Sequence, residues 1–399
     1  MTEGNMSKLE KLIQQYCPDG VEYVRLGDIL SVNRGKRLTK TQLSDDGKYY
    51  VYHGSKDTPL GKYSQFNVKG NTTIVVNTGG IGGVKYCNED FWCSDGSFWI
   101  GHSALLNDKY VYYYLSPKEN YFASQKRVGG VPTIDRSTVE NVEIPVPPLP
   151  VQEEIVRVLD AFTELQAELQ AELQKRKQQY NFYRDNLLNF KNINRGGQEI
   201  KWMKLKDVAT QWYRGAGIKR EEVGNEGMPC IRYGEIHTSY NIWFKDCISH
   251  TDETKQATKK YAEYGDILFA ITSEDIPLVG NSVAYLGKEK IMVGGDIVVM
   301  KHNQDPRYMA YALSTSDAIK QKGKGKVKSK VVHTNVPSLQ EIVIPIPPME
   351  EQQRIADILD RFDTLTNDLT SGLPAEMEKR RQQYEFYRDK LLTFKRKEA

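Results

Sequence analysis

Four basic residues, Arg34, Lys36, Arg37 and Lys40, crowd a glycine-containing stretch after a short β-type run, and Arg214, Lys219 and Arg220 take the matching place in the second half of the chain. Lys and Arg in such a loop displace counterions condensed on a phosphate backbone, so they suit nucleic-acid contact, against the plainer reading of a solvated face. Lys320, Lys322, Lys324, Lys326, Lys328 and Lys330 form a strip that repels itself unless an anion lies along it; a DNA clamp and a solubilising loop are both open readings. Lys85, Lys126 and Arg127 are further basic candidates for DNA contact in the first half. Arg232, Tyr233, Glu235 and His237 end a β-type run and mix planar donors with an acceptor. Those types read base edges in the major groove, unless they bond inside their own domain.

Other chemistry finds less support. The run Asn77-Thr78-Gly79-Gly80-Ile81-Gly82-Gly83 follows an apolar strand but lacks both the GK[ST] of a nucleotide loop and GxGxxG spacing. It reads as a tight turn, with Asn77, Gly79 and Gly80 as candidates to lie against DNA. Asp246, Glu253 and Lys255 echo a metal-dependent nuclease pattern short enough to arise by chance. The six histidines form no nucleophile–base grouping, and the five cysteines contain no CxxC pair, so reduced thiols are expected and no metal site. The chain reads as a non-enzyme with no cofactor of its own.

At 399 residues the chain has room for two or three domains with their own cores. A mean hydropathy of -0.58 and the lack of an apolar run of roughly 20 residues exclude a spanning helix. The polar start, MTEGNMSKLEKLIQQYCPDG, carries no export signal and predicts a cytoplasmic protein. Net charge is only +3, so the distribution of basic residues is more informative than their sum.

What must position these residues shows in an internal repeat. Residues 144–165 (IPVPPLPVQEEIVRVLDAFTEL) align on 344–365 (IPIPPMEEQQRIADILDRFDTL) with 10 of 22 identical, and 175–191 on 379–395 with 13 of 17 identical. Each copy opens with prolines that must be extended and then turns helical. Ile155, Leu159, Phe162, Leu169, Tyr180, Tyr183 and Leu187 follow the 4-3 spacing of a coiled-coil seam. Ile355, Leu359, Phe362, Leu369, Tyr384, Tyr387 and Leu391 repeat it across Ser371-Gly372-Leu373-Pro374, where a break or kink is expected. Two matching copies favour helices packed on each other over helices packed only on their own domains.

Between the helices, both halves show short β-type runs, at 48–52, 72–77 and 97–100 in the first and at 266–271, 282–286 and 296–300 in the second, with helices expected near 109–115 and 306–320. The layout is therefore an N-terminal helical segment (1–20), a first recognition domain (21–148), a central helical spacer (149–195), a second recognition domain (196–348) and a distal spacer (349–399). The fold class is α+β: two strand-rich domains alternating with two long helices that pack as an antiparallel coiled coil, with pseudo-twofold internal repetition.

The repeated IPVPPL/IPIPPM lead-ins, the Gln-x-x-Ile-x-x-x-Leu-Asp-x-Phe helices and the QQYxFYRDxLLxF endings resemble type I restriction-modification specificity subunits along the whole chain. VVNTGGIGG and FWCSDGSFWI are similar to phrases from that family's recognition domains. The resemblance implies a non-catalytic DNA-binding subunit in which each domain reads half of a split site and the helices fix the unread gap, with the half-sites separated by about one DNA turn. It implies as partners double-stranded DNA, two methylation subunits docked on the helices and a restriction/translocase subunit, and no membrane. S-adenosylmethionine, ATP and Mg would belong to those partner subunits. Because the helices match between halves and the domains do not, the target should be asymmetric. A stand-alone nuclease using Asp246, Glu253 and Lys255, and a coiled-coil connector that binds proteins, are the competing readings.

Overall fold

A computed structural model describes residues 7–127, 129–190, 200–274, 278–323, 326–328, 331–367 and 372–398. Lys324, Lys330, Leu369 and Ser371 lie outside the described residues, as do the side chains of Lys326 and Lys328. The chain forms two compact units, 1–168 with 378–399, and 169–377, so the division falls inside the long helices and not at their ends.

In the first unit a four-stranded antiparallel sheet runs in the order Val32–Arg34, Ser97–Ile100, Thr72–Val76, Val84–Cys87. Its Thr72–Val76 strand is buried throughout. Successive side chains point to opposite faces, so Ile74 packs with Cys87, Phe91 and Cys93, and Val75 with Tyr110, Val111 and Leu115 of the helix Asp108–Leu115. A second sheet, Gly61–Tyr63, Tyr49–Tyr52, Trp92–Cys93, adds one parallel pairing, Val51 opposite Trp92.

The second unit repeats this plan with a longer edge. Ala209–Arg214, Ile297–His302, Ile267–Ala270 and Ser282–Tyr285 take the order of the first sheet, with Trp243–Phe244 added. The second sheet again centres on a parallel pair, Met228–Ile231 beside Ile291–Val293. The expected helix at 306–320 is two helices, Pro306–Leu313 and Ser316–Lys322, because the Thr315 hydroxyl caps the second.

The proline-rich lead-ins are edge strands, where a missing N–H costs little. Glu143–Pro145 pairs antiparallel with Tyr23–Arg25, and Val343–Ile346 with Lys201–Lys204, so the chain enters and leaves each domain side by side. The first spacer is one helix, Leu149–Leu187; the second is divided into Met349–Asn367 and Gly372–Leu391. Gly372 has φ +76°, and Pro374 sits in the first helical turn, where its absent N–H is not needed.

Of the seam residues, Ile155, Leu159, Tyr180, Ile355 and Leu359 are buried, and Leu169, Leu187, Tyr384 and Leu391 partly so. The aromatic positions meet reciprocally: Phe162 stacks on Tyr387 at 5.8 Å in the first unit, and Phe362 on Tyr183 at 5.9 Å in the second.

A polar lock, also repeated, fastens each domain to its own spacer. Gln152 accepts the Asn107 N–H and donates to the carbonyls of Leu105 and Pro147; Gln352 accepts the Asp305 N–H and donates to Pro347. Tyr110 and Tyr308 donate to the carbonyls of Pro145 and Pro345. Asp160 accepts from Tyr113 and Lys109, and Asp360 from Tyr311, Trp243 and Arg307. At the N-terminus the capped helix Lys8–Tyr16 places Lys8 on Glu154, whose carboxyl Arg157 and Lys8 together hold down to about 2 despite its burial.

Candidate nucleic-acid interface

Most of the sequence candidates in the first unit converge on one end of its four-stranded sheet. Arg34 ends its strand and donates from Nε to the Asp95 carbonyl at 3.2 Å. Asn77 donates to the same carbonyl from its side chain and to the Gly96 carbonyl from its backbone. Thr78 bridges to Thr133, and Thr133 to Arg127. The basic loop after Arg34, the Asp95–Gly96 turn, the glycine run and the Lys126–Thr133 segment are therefore contiguous.

The second unit builds the same junction from different side chains. Arg214 donates from Nε to the Gly295 carbonyl and pairs with Asp296 at 2.7 Å. Ile271 N–H donates to the Asp296 carbonyl and Thr334 N–H to the Ile271 carbonyl, as Asn77 and Ile134 do with Gly96 and Asn77. Thr272 pairs with His333, which pairs with Lys326. The Lys126/Arg127 segment and the Lys326–Lys328 strand are thus one structural feature present twice.

Glycine is required where the basic loops cross the sheet. A Cβ on Gly35 would lie 2.2 Å from the Ser94 carbonyl oxygen, and one on Gly215 2.2 Å from that of Gly294. Past them, Leu38 packs with Val51 and Trp92, and Ile218 with Cys230 and Met292, anchoring each loop from below. Lys40–Gln42 and Arg220–Glu222 are equivalent 3-10 turns, so Lys40 matches Arg220. Lys36, Arg37, Lys40 and Lys126 have no carboxylate partner among the described residues; Arg127 pairs with Asp135 at 2.5 Å and Arg214 with Asp296, while Lys219 is 4.0 Å from Glu222. Exposed pairs of this kind contribute about 0–1 kcal/mol, so phosphate can displace them.

Several candidates are placed elsewhere. Asn77 is 1% exposed and its amide serves the turn and not the surface; Gly79 and Gly80 are exposed, and Gly80 N–H donates to the Gly54 carbonyl. Lys322 does not belong to a solvated strip: it is 5% exposed, bonds Ser282 Oγ at 3.0 Å, and burial pushes its amine down to about 7. Tyr233, Glu235 and His237 lie on the helix Tyr233–Thr238 just past the strand. Glu235 is consumed by Ser249 Oγ and the Arg232 N–H, and His237 Nε2 faces the Thr272 carbonyl at 3.0 Å, so both serve the scaffold. Lys85 lies over the Tyr52 ring in a separate 660 Å³ cleft with Lys48, Tyr49, Tyr50 and Tyr86.

The nuclease pattern is not assembled. Glu253 accepts from Tyr261 and lies near Lys259, Lys255 pairs with Asp252, and no metal-competent cluster occurs among the described residues. All five cysteines are free; four are buried, and burial raises the thiols of Cys87, Cys230 and Cys247 to about 12. No described helix is long and apolar enough to cross a membrane. One residue at the junction escaped the sequence reading. His53, a lone histidine with no motif around it, receives the Gly96 N–H on Nδ1 at 3.2 Å.

The family model described as "Type I restriction modification DNA specificity domain" matches twice, at 18–176 and 198–379. The specificity subunit of the Escherichia coli type I restriction enzyme EcoR124I/EcoR124II is 33% identical over 425 residues, covering 99% of this chain and 98% of that protein. Two solved structures share the fold at 16% identity. The S subunit of a type I restriction-modification system from M. genitalium has TM-score 0.54 over 94% of this chain and 96% of its own. A chain from a structure concerned with complex assembly and conformational transition of the type I R-M system has TM-score 0.60 over 94% and 98%. The double match and the near full-length relative place this chain in the family of type I restriction-modification specificity subunits, whose work is DNA sequence recognition within a larger complex.

Proposed function

We propose that each domain reads one half of an asymmetric bipartite DNA site through the sheet-end junction described above. The observation that carries this reading is one backbone scaffold, bonded identically in both units, that presents different side chains in each. A shared scaffold fixes how a duplex is approached; different side chains at base edges make the half-sites unlike. The paired helices set the unread gap and dock two methylation subunits, with a restriction/translocase subunit joining for cleavage. Phe182 and Phe386, the matching residues of the two QQYxFYRD segments, are 65% and 64% exposed, and apolar exposure repeated at equivalent sites suits such docking. S-adenosylmethionine, ATP and Mg chemistry would come from those partners, and the chain would work in the cytoplasm.

The test is the host's methylated adenines read genome-wide with and without the gene. Loss of one split motif with two dissimilar halves is the expected outcome. An unchanged methylome in a host that expresses the whole complex would overturn the reading.

A further inference from the structure

His53 and Arg232 occupy the same place in the two scaffolds. Tyr52 and Ile231 are the last residues of the matching strands, and each carbonyl accepts an N–H at 2.9 Å, from Ser94 in one unit and Gly294 in the other. The next residue leaves the strand beside the turn that holds Arg34 or Arg214, so it borders the phosphate-contacting loop without belonging to it.

In the first unit that residue is held in one orientation. The Gly96 N–H donates to His53 Nδ1 at 3.2 Å, and Ser94 Oγ and Asp95 Oδ1 lie 3.2 and 3.3 Å from the same nitrogen. With Nδ1 accepting, the neutral ring carries its proton on Nε2. The ring, 37% exposed, thus offers one donor, and Nε2 has no partner among the described residues. In the second unit the Arg232 backbone N–H caps onto Glu235, and no carboxylate pairs with the guanidinium among the described residues, leaving a fork of donors.

We propose that positions 53 and 232 are the equivalent base-reading positions of the two domains and set much of the difference between the half-sites. The single donor of His53 suits one acceptor on a major-groove edge, such as a purine N7, whereas the Arg232 fork suits the paired O6 and N7 of guanine. The inference rests on the DNA-reading function proposed above.

The assembled methylation complex containing the full chain is given duplex libraries carrying its motif with one half-site randomised, and transferred methyl groups are read by sequencing. His53→Ala lowers discrimination at one base pair of the first half-site roughly 5- to 150-fold and leaves the second half-site intact. Arg232→Ala does the reverse. Preferences are ratios within one sample, so they do not depend on how much complex folds. Should His53→Ala fail to assemble, His53→Gln, which can take the Gly96 N–H on its oxygen and still offer a donor, shifts preference at the same base pair. A His53 variant that keeps the wild-type preference at every position, or blurs both half-sites alike, overturns the proposal. A wild-type complex with no split motif would instead mark the failure of the DNA-reading function itself.

Discussion

At the scale of single residues, charge alone misplaced one lysine. Lys322 sits in an alternating basic run, yet its position on the helix Ser316–Lys322 turns it inward beside Phe269 and Ser282. Spacing in a polar run carries no information about which turn of a helix faces a core; Asn77, at the end of a buried strand, is spent on the Asp95–Gly96 turn, which residue type alone does not show. Burial alone lowers the Lys322 amine to about 7, against an ordinary 10.5. Between those values the unfolded chain binds a proton that the folded chain lacks, so stability rises with pH from about 7 to 10.5 and is flat below. Lys322→Met should raise stability at pH 7 by about 1–3 kcal/mol and remove that slope, as urea unfolding of the full chain at pH 7 and 9.5 will report. The exposed cations behave differently. Lys36→Gln or Lys126→Gln should each reduce the salt dependence of DNA affinity by about 0.9 in log–log slope without altering the motif, in titrations from 50 to 200 mM salt.

Elements were legible where their periodicity is strong. The strands at Tyr49–Tyr52, Thr72–Val76, Ser97–Ile100, Ile267–Ala270, Ser282–Tyr285 and Ile297–His302 fall within two residues of expectation because each is a short apolar run between turn residues. What joins a domain to its spacer was only half legible: Gln152/Gln352 and Asp160/Asp360 lie inside the aligned repeat, but their partners lie before the proline lead-in, where the comparison stopped. Asn107-Asp108-Lys109-Tyr110 and Asp305-Pro306-Arg307-Tyr308 share only a cap, a cation and a tyrosine. Of these, Lys109 and Arg307 meet Asp160 and Asp360, and the two locks differ in load. Asp360 satisfies Tyr311, the Trp243 indole and Arg307, whereas Asp160 satisfies Tyr113 and Lys109. Removing a carboxylate strands its donors. Asp360→Ala should therefore cost about 2–3 kcal/mol and Asp160→Ala about 1–2 kcal/mol, measured as the unfolding free energy of the full chain. A larger loss for Asp160→Ala would mean that donor count does not govern the lock.

At the scale of the whole molecule, the two domains are joined to the rest of the chain by the same connections. Each domain is entered and left by one antiparallel strand pair, Tyr23–Arg25 with Glu143–Pro145 or Lys201–Lys204 with Val343–Ile346. Each is fastened to its spacer by a glutamine at the helix start and an aspartate eight residues on, Gln152 and Asp160 or Gln352 and Asp360, identical in type. A second copy of residues 201–346 in place of 23–145 would bring Tyr311 and Trp243 to Asp160, an acceptor of the kind they already use, while Arg307 would keep an aspartate at 160 but meet Arg157 in place of Asp357. One element has no counterpart among the described residues of the second unit: Leu9, Leu12 and Ile13 of the N-terminal helix pack on the first core. The duplicated chain should therefore fold with a lower melting temperature than the parent. Assembled in the proposed complex with methylation subunits, it should direct modification to a motif whose two halves are the same sequence in inverted orientation, each being the parent's second half-site. Retention of the parent's first half-site would show that specificity lies outside the exchanged residues. A folded duplicate with no motif would show that the strand pair and the Gln/Asp lock do not suffice to present a domain to DNA.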